Sequence, residues 1–301
     1  MSPVVPVVHL RRHLRTQGFD DRELRRMLRD QQLTVVRRGA YLPGAPPDDP
    51  VVRHLAQVVA AARQLDADAV LSHVSAAVVH GWDLWRAPLD RVQVTRSRRT
   101  GGRRHPSVHV RAAPLGRSEV VEVDGLRVTS PERTAADLAR TLPVEQAVVV
   151  LDSALAGRLS RDDLLAAVQR QKGWPGVPRA RRVVEFADGR SGSVGESRSR
   201  WAIACAGLPA PDLQHEVRDA GRHVGTVDFW WEAQRLAGEF DGLVKYGRLL
   251  RPGQTAADAV VAEKIREDDL RDQDVRVVRW IWSDLSPFTG TATRLRHRLG
   301  A

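Results

Sequence analysis

One cysteine, Cys205, stands in a chain of 301 residues. That scarcity excludes an intramolecular disulfide framework and any Cys-rich zinc or iron–sulfur site. Long apolar runs are missing too: no stretch approaches the roughly 18–20 residues that a membrane span needs. The opening MSPVVPVVHLRRHLR carries Pro3 and Pro6 in its short apolar run and no small-residue cleavage site before the arginines. It does not read as a signal peptide, so a cytoplasmic protein with no membrane partner is the expectation. Lysine is almost absent. Only Lys172, Lys245 and Lys264 occur among 47 basic residues, the rest being arginine. This skew follows the Ala- and Val-rich composition and makes each lysine's place slightly more informative. Internal repeats and low-complexity tracts are lacking as well.

What is present is a net charge of +10, unevenly placed. Residues 1–45 hold nine arginines against four acids, and residues 86–111 hold eight against one. Residues 191–285 hold 13 basic and 16 acidic residues. A basic front and a mildly acidic rear suit a DNA-docking part followed by a carboxylate-bearing part. A solvated arginine-rich surface is the plainer alternative. The length predicts two or three domains. Pro-rich PGAPPDDP (43–50) and the Gly- and Pro-containing stretch 172–193 read as linkers. The expected parts are residues 1–45, 50–171 and 190–290.

Residues 7–16 carry Val7, Leu10 and Leu14 at helical spacing, and Gly18 breaks the run. Asp20 and Glu23 form a capping-box pattern. The next helix runs to about Asp30, with Leu24, Met27 and Leu28 inward and Arg22, Arg25, Arg26 and Arg29 outward. LTVVRRGAYL then reads as strand, tight turn and strand, placing Arg37 and Arg38 at the turn. Helix, turn, arginine-studded helix and basic wing are the parts that dock in a major groove and touch phosphates. A helical hairpin packed on the rest of the chain is the alternative. RVQVTRSRRTGGRRHPSVHVRAA reads as a β-hairpin whose Gly-Gly tip carries Arg98, Arg99, Arg103 and Arg104, a second phosphate-contact candidate or a solvated loop.

Three segments, LTVVRRGAYLPG (33–44), LSHVSAAVVHGWDLW (71–85) and VDGLRVTSPERTAADLAR (123–140), resemble the AbiEi-type antitoxins of type IV toxin–antitoxin systems. The resemblance implies a winged helix at the front and leaves a cognate toxin open as a partner that the sequence itself does not reveal. In the second segment Ser72 reads as a helix cap, and His73 and His80 share a face. Those histidines read as core or capping residues rather than metal ligands. In the third, Asp124-Gly125 reads as a turn, Ser130 as an N-cap and Pro131 as the first helical residue.

Residues 193–285 carry whatever chemistry there is. Glu196 lies early in a helix, Asp228 in an apolar strand, and Glu239 and Asp241 on one face of the next strand. The short turn between the strands predicts an antiparallel hairpin that brings Asp228 beside Glu239. Carboxylates gathered in this way repel one another unless a hard cation sits among them. The order resembles the PD-(D/E)XK nuclease superfamily, and more closely its very-short-patch-repair (Vsr-like) branch. Glu196 matches the helix acid, Asp228 and Glu239 the motif acids, and Asp241 stands where the superfamily has lysine. Lys245 stands where the branch has histidine, and Lys264 follows on a charged helix. Val277-Val278-Arg279 with Trp282-Ser283-Asp284-Leu285 matches the branch's closing strand.

The resemblance implies a Mg²⁺- or Mn²⁺-dependent DNA endonuclease, its metal held by Asp228, Glu239 and Asp241. Glu196 would be an outer acid and Lys245 or Lys264 would face the phosphate. A double-strand cutter favours a homodimer. The alternative is a DNA-binding regulator or antitoxin-like protein carrying an inactive nuclease fold. The expected fold class is α+β multidomain: an N-terminal winged helix, a mixed α/β middle and a C-terminal restriction-endonuclease-like (PD-(D/E)XK) α/β core. Trp230, Trp231, Trp280 and Trp282 are expected to pack the core and sheet edge rather than stack on bases.

Overall fold

The computed structural model of the chain describes residues 5–98, 101–104, 106–157, 159–220, 222–242 and 269–300, with 103 and 104 by backbone alone. The fold is mixed α+β with three sheets. The chain divides into two compact units, Met1–Phe186 and Ala187–Ala301. Among the described residues no helix is long and apolar enough to cross a membrane.

The first unit opens with a three-stranded antiparallel sheet in the order β1 (His9–Leu10), β3 (Ala40–Pro43), β2 (Leu33–Arg37). Helices α1 (Arg11–Thr16) and α2 (Asp21–Arg29) lie between β1 and β2. Asp20 caps α2 through both Arg22 N–H and Glu23 N–H, while Glu23 reaches back to Asp20 N–H, so the capping box forms as expected. Leu14, Leu24, Leu33 and Tyr41 make a small core beneath it. The first helix is shorter than its apolar spacing suggests. Leu10 is taken by the β1–β3 ladder, paired with Ala40, and Val7 is 62% exposed.

Helix α3 (Pro50–Ala62) packs its apolar stripe against β4 (Ala69–Leu71) and the sheet behind it. The order of that six-stranded sheet is β6 (Arg103–Arg104), β7 (Val108–Ala112), β5 (Val92–Arg96), β4, β9 (Leu126–Thr129), β8 (Val120–Val123). Here the expected hairpin is corrected. β5 and β7 are parallel, and only the short β6 turns back antiparallel on β7. Period-2 patterning fixes which face of a strand is buried, not which way it runs. The β8–β9 hairpin turns at Asp124-Gly125, both at positive φ, as their identity requires.

Helix α4 (His73–Val79) is buried along its whole length. Helices α5 (Pro131–Thr141), α6 (Val144–Ala156), α7 (Arg161–Arg170) and α8 (Val177–Phe186) complete the unit. Ser130 caps α5 and Pro131 fills its first position. Part of the stretch read as a linker is α8, whose Val177, Ala180, Val183 and Val184 are buried. Prolines and glycines punctuate the start of this helix rather than replacing it.

The second unit is built on one sheet, β10 (Asp212–Asp219), β11 (Arg222–Trp231), β12 (Leu236–Asp241), β13 (Arg276–Ile281), in that order. The first two pairings are antiparallel and β12–β13 is parallel. A 3-10 turn at Glu232–Gln234 closes the β11–β12 hairpin. Helices α9 (Val194–Cys205) and α10 (Thr289–Leu299) contribute Ile203, Ala292, Leu295 and Leu299 to a core with Phe229, Trp231, Leu236, Phe240 and Trp280. Trp230 packs in a second cluster with Val227, Ala237 and Leu270.

Candidate functional site

The rear acids sit around the β11–β12 hairpin. Ser193 caps α9 and places Glu196 in its first turn. The Glu196 carboxylate accepts from Gly192 N–H at 2.7 Å, Ser193 O–H at 2.8 Å and Gln214 Nε2 at 2.8 Å. Gln214 also lies 3.4 Å from Asp228 Oδ1, so one amide bridges two of the expected acids. The other Asp228 oxygen accepts from Phe240 N–H at 2.8 Å. One step beyond the paired residues Phe229 and Gly238 stand Asp228 and Glu239, which makes them neighbours across the hairpin as expected. Glu239 is 8% exposed and accepts from Arg279 Nε at 2.8 Å, its partner in the parallel β12–β13 ladder. Asp241, at the end of β12, is half-buried.

Glu196 and Asp228 thus meet through Gln214, while Glu239 is held by Arg279. Both Asp228 oxygens and one Glu239 oxygen accept from protein donors. Among the described residues no group of three or more His, Cys, Asp or Glu side chains is placed to hold a metal ion. Lys245 and Lys264 lie outside the described residues. Gln214 was not singled out by sequence. Its left-handed backbone, φ 52°, turns it toward the acids, and no spacing announces that.

In the first unit, Arg22, Arg25, Arg26 and Arg29 are all exposed on α2, with Leu24 buried beneath them. Arg37 and Arg38 flank the β2–β3 turn, Arg37 half-buried and Arg38 exposed. Arg98 pairs with Asp68 at 2.9 Å. Arg99 and the side chains of Arg103 and Arg104 lie outside the described residues.

A buried polar network escaped the sequence reading. Asp137, fully buried on α5, accepts from Arg133 Nε at 2.8 Å, Arg140 Nη2 at 3.0 Å and Gln171 Nε2 at 3.0 Å. Arg133 reaches on to Glu119 at 3.0 Å, and both arginines lie over the Trp174 ring at 5.1 Å. Burial raises the Asp137 carboxyl's pKa, but His73 and the two arginines outweigh it, so the carboxyl sits below its ordinary value. Nearby, Ser72 does not cap α4 with its side chain. Its hydroxyl oxygen instead accepts from Thr95 at 2.9 Å and lies 3.1 Å from His73 Nδ1. His73 is buried at φ 52°, its Nε2 lacks a hydrogen-bond partner, and desolvation pushes its pKa down to about 3. His80 Nε2–H donates to Thr129 C=O at 2.9 Å. Both histidines are therefore structural in their contacts.

Known proteins resemble parts of the chain. Two curated Mycobacterium tuberculosis proteins, Uncharacterized protein MT2308 (strain CDC 1551 / Oshkosh) and Uncharacterized protein Rv2248 (strain ATCC 25618 / H37Rv), are each 35% identical over 144 residues. The match takes 48% of this chain, and the chain spans about half, 53%, of each relative's length. Among solved structures, the crystal structure of RV2827C protein from Mycobacterium tuberculosis aligns with a TM-score of 0.40 at 20% identity, covering 72% of this chain and 85% of that one. Residues 67–186, which contain the sheet from β4 onward and helices α4 to α8, match the family described as AbiEi antitoxin C-terminal domain.

Proposed function

We propose that the chain is a DNA-binding regulator of the type IV antitoxin kind. The front elements dock on the duplex, and the rear unit is a nuclease-like fold that does not cut. The observation that carries this reading is the AbiEi antitoxin match at residues 67–186, directly behind a helix–helix–β-wing segment with four exposed arginines on α2. Those arginines supply phosphate contacts, and the β2–β3 turn supplies the wing. The antitoxin likeness also makes a cognate toxin the natural protein partner. In the rear unit, Arg279 on Glu239 and Gln214 between Glu196 and Asp228 give these acids a structural role.

One observation favours a second reading, a Mg²⁺-dependent nuclease. Glu196, Asp228 and Glu239 do gather about one hairpin, in the order the nuclease resemblance requires. A single experiment separates the two. Wild type, the triple variant Arg25→Gln/Arg26→Gln/Arg29→Gln, Asp228→Ala and Glu239→Ala are assayed for duplex binding and for plasmid nicking with Mg²⁺, Mn²⁺ or EDTA. The regulator reading expects salt-sensitive binding that the arginine triple abolishes, with no nicking in any metal. Metal-dependent nicking removed by both acid substitutions would replace it with the nuclease.

A further inference from the structure

A basic cleft in the first unit belongs to neither the α2 face nor the acids. It encloses about 690 Å³ between the end of β2 and the β5–β7 ladder. Arg37, Arg96, Arg98 and Arg111 line it, together with apolar Leu65, Val108 and Val110. Two of the arginines are fixed by acids. Asp66 holds Arg96 at 2.8 Å, and Asp68 holds Arg98 at 2.9 Å. Arg37 differs. Among the described residues it has no ion pair, and its Nη1 is buried with no hydrogen-bond partner. Desolvation pulls its pKa below the ordinary arginine value. A guanidinium nitrogen buried without an acceptor is costly, and an anionic oxygen removes that cost. The backbone irregularity between Val35 and Arg37 and the Arg38-Gly39 turn set Arg37 at the rim. Gln64 fastens that turn to the end of α3 by donating to Arg38 C=O at 3.1 Å.

We propose that this cleft binds a phosphoryl anion, with Arg37 and Arg111 on the phosphate oxygens and the apolar wall facing the body of the ligand. Planar guanidinium forks match phosphate oxygens better than other side chains do. The volume exceeds what a bare phosphate fills and lies within the range of roughly 300–1,000 Å³ of small-ligand sites. A phosphate carried on a compact body, of nucleotide size, suits it. Such a ligand touches the β2–β3 turn through Arg37 and the central sheet through Arg96 and Arg111, so its binding fixes the turn against the sheet. The inference does not rest on DNA docking. The phosphate comes either from a free phosphorylated molecule or from a DNA backbone.

The test uses the full chain, with ATP and inorganic pyrophosphate as calorimetric probes at physiological salt in EDTA. Both are expected to bind one per chain. Arg37→Gln should weaken them at least about tenfold, the cost of losing one charge-assisted contact. Arg37→Lys, which keeps the charge, should retain part of the affinity and guards against misfolding. Arg25→Gln/Arg26→Gln, outside the cleft, should leave ATP and pyrophosphate binding as in wild type while it weakens duplex binding. No binding of either probe to folded wild type overturns the proposal, as does weakening by the α2 pair equal to that by Arg37→Gln. Duplex that displaces ATP assigns the cleft to backbone phosphate, and duplex that binds alongside ATP assigns it to a free ligand. Loss of duplex binding in the α2 variant is read separately, so the docking reading and the cleft can fail independently.

Discussion

His73 shows how one residue sets a pH dependence. Folded, it takes a proton only near pH 3; unfolded, near the ordinary value of about 6.5. Between those limits the unfolded chain binds more protons, so stability falls as pH drops. Its contribution is fully present above about pH 6.5 and is lost toward pH 3. The limiting slope is about 1.4 kcal/mol per pH unit. His73→Asn keeps a residue that tolerates the left-handed backbone and removes the titration. Urea unfolding at pH 7, 6 and 5 should show a flatter decline for the variant, and parallel declines would refute the assignment. Asp137→Asn tests the same neighbourhood through charge. It leaves Arg133 and Arg140 without their shared carboxylate and should cost about 3–5 kcal/mol in urea unfolding. A cost within the error of wild type would show that Glu119 and Trp174 suffice. At this scale the sequence was partly legible. Asp20, Ser130, Pro131 and the Asp124-Gly125 turn act through neighbours in the chain, and their roles were readable. Arg133 and Asp137 stand at i and i+4, but spacing on a helix does not say whether the pair faces water or core.

At the scale of elements, α9 lies hard on the sheet because Gly195 has no side chain. A Cβ there would fall 1.9 Å from a Phe240 ring carbon. Gly195→Ala must push the helix or the ring aside and should destabilise the second unit by about 1–3 kcal/mol. Gly290, in the first turn of α10, meets nothing within 4 Å. Gly290→Ala should stabilise the same unit by up to about 1 kcal/mol through lower unfolded-state entropy. Opposite shifts in the denaturation midpoint from one chemical change would confirm that contact, not helix propensity, governs Gly195. The pattern that revealed α9, β11 and β12 could not reveal this approach, since glycine carries no hydrophobic signal. Nor could alternation reveal that β5 and β7 run parallel, because reversing a strand leaves its buried face unchanged. The site was legible where register decides, as for Asp228 and Glu239, and hidden where an irregular backbone decides, as for Gln214.

Over the whole molecule, charge and packing divide at the same place. Residues 1–186 hold 30 basic and 20 acidic side chains, while residues 187–301 hold 17 of each. The entire surplus of +10 therefore belongs to the first unit. Hydrophobic clusters lie within each unit: one in the first runs from Val8 to Val128, and two in the second run from Ile203 to Leu299 and from Val217 to Val275. Each unit thus has a core of its own and is expected to fold when expressed alone. Phosphate attraction follows local charge rather than chain length, and each neutralised phosphate contributes about −0.9 to the slope of log K against log salt. Fragment 1–186 should therefore keep the duplex affinity and salt slope of the full chain, and fragment 187–301 should bind duplex weakly with a shallow slope. Fluorescence anisotropy on labelled duplex over a salt series measures both. A folded 187–301 fragment that carried the steeper slope would move the docking surface away from the α2 arginines and onto the rear unit, against the charge distribution.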